Sequence, residues 1–215
     1  MQLTAIALKP LFSQWAAIMQ SEKEQLIELD SVVGDGDLGL TMSDGFTAAN
    51  LAVQDSNEQD IGKLFYVAGK TMMNAVPSTM GTLMASGLMQ VGKTFKDRPS
   101  IDSTEFGELF LAYFNGVQAR GKAQIGEKTF LDGLYPAVQT LIAAYQTEAW
   151  DILANQALAS AQMGMMNTTH MLAIHGRAAT RGEQSRTLLD PGAYVAMLLL
   201  RGYANFAQQL CICNK

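Results

Sequence analysis

The sequence predicts an all-α fold in a single domain spanning residues 1–215. Three observations carry that reading. Apolar residues recur at helical spacing along nearly the whole chain. The stretch from Ala149 to Leu172 is rich in Ala, Gln and Met, which favour helix. No run of alternating β-branched residues marks a strand.

The elements follow in order. Leu11, Trp15, Ile18 and Met19 stand at i, i+4, i+7 and i+8, one stripe of a helix near 4–20. A short piece near 21–29 reads as an extension of it. Helices near 38–54, 59–74 and 81–94 come next. Phe106, Leu109, Phe110, Tyr113, Phe114 and Val117 define one over 103–121, opened by Ser103 with Glu105 in its first turn. Leu131, Leu134, Tyr135, Val138, Leu141 and Ile142 define another over 129–146. A helix at 149–173 precedes a last one near 190–209, where Asp190 is an N-cap and Pro191 occupies the first helical position. Nine pieces thus make about eight helices. Four loops separate them that are not ordinary turns: 30–39, 75–82, 120–129 and 174–192. Loops that alternate along an antiparallel bundle can gather at one end.

Composition excludes several classes. About 48% of residues are apolar and 16% charged, so the chain folds around a core. The longest uninterrupted apolar run, Ala193 to Leu200, is far shorter than the roughly 20 residues of a membrane helix. The N-terminus lacks the basic start of a secretion signal. A net charge of −5 and no basic stretch speak against nucleic acid. Cys211 and Cys213, separated by one residue at the C-terminus, are poorly placed for a disulfide and read as part of a frayed tail. A cytoplasmic protein is expected.

The most informative stretch is Asp-Ser-Val-Val-Gly-Asp-Gly-Asp-Leu-Gly-Leu-Thr-Met, residues 30–42. Asp30, Asp35 and Asp37 crowd together, and the nearest Lys or Arg is Lys23 on one side and Lys63 on the other. Like charges about 5 Å apart repel by roughly 3 kcal/mol at an effective dielectric near 20. Gly34, Gly36 and Gly39 point to an ordered loop, where cations or protonation must relieve that repulsion. If the segment is extended, Asp35 and Asp37 share a face, and Asp30 at a helix end leans over the same spot. Oxygen donors alone suit Mg²⁺ or Ca²⁺, and the spacing fails the EF-hand pattern, since Phe46 stands where its glutamate belongs. Two readings stand on the residues alone: a Mg²⁺ site completed by phosphate oxygens, or a glycine-aspartate turn.

This loop resembles the metal loop of the nucleotide-binding L subunit of dihydroxyacetone kinase, the DhaL or DAK2 domain family. Residues 120–138 and 176–193 resemble two further motifs of that family, in the same order. The resemblance implies an eight-helix antiparallel barrel capped at one end by ATP or ADP. It implies two Mg²⁺ ions on Asp30, Asp35 and Asp37, the residues also expected to support catalysis. It further implies a phosphotransferase of glycerol metabolism, active only with a K-type subunit that holds dihydroxyacetone. The phosphoryl group comes from free ATP or from bound ADP recharged by a phosphotransferase-system protein. A homodimer is expected too.

Two departures stand out. Leu38 replaces the family's usual histidine, and residues 75–82, Ala-Val-Pro-Ser-Thr-Met-Gly-Thr, shorten its glycine-rich run. Both cast doubt on dihydroxyacetone itself as the acceptor. Ser78, Thr79, Gly81 and Thr82 can still offer hydroxyls and amides to phosphate where a helix starts after Gly81. Thr41 is expected near a phosphate or metal water, Leu38 beside the nucleotide, Gly121 and Phe130 around adenine, and Arg177 on phosphate or ribose. Asp190, Pro191 and Gly192 are expected to brush the nucleotide.

Residues 121–129 nearly spell a P-loop, but Glu127 interrupts it. Lys128 reads equally as a phosphate contact or a solvated partner of Glu127. His170 and His175 are five apart and no metal pair. The methionines read as core fill. Rival functions are a kinase subunit for a four-carbon ketose and a nucleotide-binding regulatory subunit without turnover.

Overall fold

The computed structural model describes residues 1–144 and 149–213. Among them are nine α-helices: α1 Ala5–Ser21, α2 Lys23–Val33, α3 Leu38–Gln54, α4 Ile61–Ala75, α5 Thr79–Thr94, α6 Phe106–Gly121, α7 Phe130–Ala144, α8 Trp150–Asn167 and α9 Pro191–Cys213. The expected end of the seventh helix, 145–146, lies outside the described residues. No helix there is long and apolar enough to cross a membrane.

Eight helices close a ring. From α3 to α9 each packs on its successor, α9 returns to α1, and α1 meets α3. The apolar stripes face inward, where Phe12, Trp15, Phe46 and Phe65 cluster beside α4. Phe106, Phe110, Tyr203 and Phe206 form a second aromatic cluster inside the ring. The ninth helix, α2, stands outside the ring against α3 and α9. The chain breaks between α1 and α2 because Glu22 is tied to the last helix: its carboxylate accepts from Tyr194 Oη at 2.8 Å and Arg201 Nη1 at 2.7 Å. Reading 21–29 as an extension of the first helix is therefore corrected.

Other boundaries moved for local reasons. The fifth helix starts at Thr79 rather than at 81, because the Ser78 hydroxyl caps it by accepting from Gly81 N at 3.0 Å. The eighth ends at Asn167 and continues only as a 3₁₀ turn over Thr168–His170. The last runs to Cys213, past the predicted end at 209, so the Cys-Ile-Cys segment is helical. Two three-residue strands were not expected: β1 Gln2–Thr4 pairs antiparallel with β2 Ser100–Asp102, Leu3 opposite Ile101. Such short strands, so distant in sequence, show no alternation to read.

Where α3 crosses α2, only glycine fits. A Cβ at Gly39 would strike the Lys23 carbonyl oxygen and come within 2.7 Å of Ile27 Cγ1. Gly39→Ala is expected to destabilise the fold by about 1–3 kcal/mol, because backbone must move to admit the methyl group. Urea unfolding measures the loss.

Candidate functional site

The four unusual loops do gather at one end of the ring. They wall an open cleft of about 780 Å³. Its lining includes Asp30, Asp35, Asp37 and Leu38 from the first loop and Ser78, Thr79 and Thr82 from the second. Gly121, Lys128 and Phe130 come from the third, and Arg177, Asp190, Pro191 and Gly192 from the fourth.

The carboxylate loop is short and tightly held. Asp30 sits in the last turn of α2, where its carbonyl accepts from Gly34 N at 2.5 Å. Gly36 adopts a left-handed conformation, φ 76°, and Asp37 a helical one. The segment is a turn, not the extended stretch expected, yet the carboxylates converge. One oxygen from each of Asp30, Asp35 and Asp37 lies within 4.8 Å of the others. Leu38 donates its amide to Asp30 Oδ2 at 3.4 Å and buries its side chain in the core.

Asp37 feels this crowding. Partial burial, then Asp35, then Asp30 raise its pKa, against an opposing pull from Arg177. Arg177 reaches the trio through Asp35, Nη2 to Oδ2 at 2.5 Å. One guanidinium thus faces three carboxylates, a net surplus of negative charge. An oxygen-only set with surplus charge is the donor chemistry that hard divalent cations take, so these residues fit Mg²⁺.

The second loop presents the start of α5. The first helical amides, at Thr79 and Met80, have no intrahelical acceptor. Gly81 N is already engaged by Ser78 and Thr82 N by the Ser78 carbonyl, so these two amides are not available as phosphate donors. Gly81 is buried and absent from the cleft lining, as is Thr41, buried one turn along α3.

The third and fourth loops are joined by a buried polar network. Lys128, in a left-handed conformation at φ 61°, is only 3% exposed. Its Nζ donates to the carbonyls of Thr168 and Leu188. It is therefore no solvated partner of Glu127: it lines the cleft while holding the two carbonyls, and Glu127 instead pairs with His175, Oε2 to Nε2 at 2.5 Å. Asp132, which the sequence reading passed over, accepts from Gly126 N at 2.6 Å and Thr129 N at 2.8 Å. Asp190 accepts from Ala193 N at 2.7 Å, the N-cap expected of it. Burial pushes its pKa up to about 7, although the Ala193 amide and Lys128 pull it down. Burial likewise lowers Lys128, while Asp190 and Asp132 hold it up. Glycine at 192 lets α9 lie against Phe130, whose amide would be 3.1 Å from a Cβ there.

The cleft thus has a carboxylate corner, a helix N-terminus with open amides, an aromatic wall at Phe130 and cations at Arg120 and Arg177. Residues 32–205 match the DAK2 domain.

The chain belongs to the DAK2 domain family.

Among its relatives, the ADP-binding subunit DhaL of PEP-dependent dihydroxyacetone kinase 1 from Listeria innocua is 33% identical, over 84% of this chain and 86% of that protein. The Escherichia coli ADP-binding subunit DhaL is 31% identical, over 89% and 92%. An L-erythrulose 1-kinase of Mycolicibacterium smegmatis is 30% identical over 91% of this chain, which spans only 34% of that enzyme. Among solved structures, the dihydroxyacetone kinase of C. freundii in complex with AMP-PNP and Mg²⁺ superposes with a TM-score of 0.70, at 19% identity over 92% of this chain and 33% of that one. The shared DAK2 fold is the one described above.

Proposed function

We propose that this chain is the nucleotide- and Mg²⁺-binding subunit of a dihydroxyacetone-type kinase. It passes the γ-phosphoryl group of ATP to a small ketose held by a partner K-type subunit. The observation that supports this most directly is the convergence of Asp30, Asp35 and Asp37 at the cleft that the four loops enclose. Kinship with ADP-binding subunits covering most of the chain supports the nucleotide.

In this reading the three aspartates hold two Mg²⁺ ions, which neutralise phosphate charge when bound. Phosphoryl transfer demands positioning and charge stabilisation more than a covalent nucleophile. The amides of Thr79 and Met80 and the hydroxyls of Ser78, Thr79 and Thr82 orient the phosphates. Leu38, whose amide holds Asp30, lines the cleft beside them, and Thr41 supports that turn from below. Arg177 exchanges Asp35 for phosphate or ribose. Gly121 and Phe130 border the base, and Asp190, Pro191 and Gly192 set the floor. The acceptor hydroxyl attacks the γ-phosphorus as its bond to the bridging oxygen of ADP breaks. A base on the partner takes the hydroxyl proton. The chain alone has no turnover, and ADP leaves for new ATP or is rephosphorylated in place by a phosphotransferase-system protein.

A four-carbon ketose is the second acceptor reading, favoured by the likeness to an L-erythrulose 1-kinase. The test is calorimetry of ADP and ATP with and without Mg²⁺, then transfer assays with the partner subunit loaded with dihydroxyacetone or erythrulose. Magnesium-dependent affinity and partner-dependent transfer are expected. Affinity indifferent to Mg²⁺ would defeat the metal assignment. Affinity without transfer to either ketose would leave a regulatory subunit.

A further inference from the structure

A second concavity, about 740 Å³, runs along the outside of the ring over α4, α5 and α6. Its floor is α5, sunk between its neighbours because glycine lines both contacts. A Cβ at Gly92 would come within 2.8 Å of Tyr66 N on α4, and one at Gly116 of α6 within 2.5 Å of the Ser86 carbonyl. Tyr66, Met73, Met89 and Ala119 make the surface largely apolar, and Tyr66 is 46% exposed.

Charge sets this groove apart. Lys63, Lys93, Lys96 and Arg120 line it, with no carboxylate among the lining residues. The run 61–96 contains none of the chain's 20 acidic residues, although the chain is acidic overall. The flanking acids are Asp60, whose carboxylate caps α4 through Lys63 N and also accepts from Asp97 N, and Asp97, 3.8 Å from Lys96.

Lys63, Lys93 and Lys96 stand at one end of the groove and Arg120 at the other. Lys96 backbone abuts Gly62 at one end, and Gly121, next to Arg120, abuts Leu83 at the other. Leu83 to Thr94, the last residue of α5, is about 16 Å along the helical rise, and Lys96 lies just beyond. A small anion cannot bridge from Arg120 to the lysines, whereas about three turns of helix fill the span. Arg120 also lines the nucleotide cleft, so the groove continues from the mouth at which an acceptor must arrive. A second copy docked symmetrically would set lysines against lysines.

We infer that this groove docks a carboxylate-bearing amphipathic helix of the acceptor-carrying subunit, apolar side chains on Tyr66, Met73 and Met89 and acidic ones on Lys63, Lys93 and Arg120. Helix-in-groove recognition supplies the affinity, and the cations select and orient the partner. The inference rests on the partner-dependent kinase reading.

The test is calorimetry of the full chain with its cognate acceptor-carrying subunit at low and high salt. Lys63→Glu combined with Lys93→Glu is expected to weaken partner affinity about tenfold and flatten its salt dependence. Magnesium-dependent ADP affinity should not change, which reports an intact fold and cleft. Tyr66→Ala should weaken the partner without altering the salt dependence. Unchanged partner affinity in both variants overturns the groove while leaving the kinase reading intact. So does a self-association that the charge reversals abolish while the partner still binds. A wild-type chain that binds Mg²⁺·ADP but no acceptor-carrying subunit overturns both.

Discussion

Asp35→Asn is expected to lower magnesium-dependent ADP affinity by at least about 100-fold and leave the weak metal-free affinity almost untouched. Mutating groups that merely orient metal ligands already reduces metal affinity about 10- to 100-fold. Asp35 is a proposed ligand, so about 100-fold is a lower bound. Stability should move the other way. Without metal, three carboxylates within 4.8 Å repel one another, and amidation removes one of them. The pair lost, Asp35 with Arg177, is largely exposed and contributes about 0–1 kcal/mol. The metal-free variant should therefore unfold at the same temperature as the wild type or slightly higher. Calorimetry and thermal unfolding on one preparation read both signs. Affinity equal to wild type would reduce the trio to a glycine-aspartate turn.

This site was legible in the sequence to an uneven degree. Spacing and missing counter-charges exposed Asp30, Asp35 and Asp37, because crowded like charge is a local property of the chain. The route by which they meet was not legible. It depends on a left-handed Gly36 folded back against Ser31 and Ile27 of α2, and on α2 running on to Val33. The helices of the ring announced themselves through apolar periodicity, whereas the break at Glu22 did not. Its cause is a pair of donors on α9, far away in the chain. The burial of Lys128 was hidden for the same reason: its partners, the carbonyls of Thr168 and Leu188, carry no signature in residue type. Asp132 did leave a signal. Thr129 and Asp132 stand three apart at the start of α7 and form one half of a capping box, the carboxylate accepting from Thr129 N, while Asp132 N donates to the Thr129 carbonyl.

Lys128→Met should destabilise the fold by about 3–5 kcal/mol, the usual loss when one member of a buried charged network is removed. At about 2–4 °C per kcal/mol for a chain of this size, the midpoint falls by roughly 6–20 °C. The methionine fills the volume but strands the carbonyls of Thr168 and Leu188 and withdraws the cation that pulls Asp190 down. The sign of the pH dependence follows from Asp190. Its folded pKa, about 7, lies above the ordinary carboxylate value, so between about pH 4 and pH 7 the folded state holds the extra proton. That contribution is complete below the window and is lost as pH rises through it. In Lys128→Met the folded pKa of Asp190 climbs further, so the same loss extends to higher pH. The gap between variant and wild type should accordingly be smaller at pH 5, where Asp190 is already neutral in both folded forms. It should be larger at pH 8, where only the wild type holds a carboxylate paired with a cation. Urea unfolding at the two pH values measures it. A gap that is constant, or widest at pH 5, would mean that Lys128 supports the joined loops through its two carbonyl bonds alone, without electrostatic coupling to Asp190.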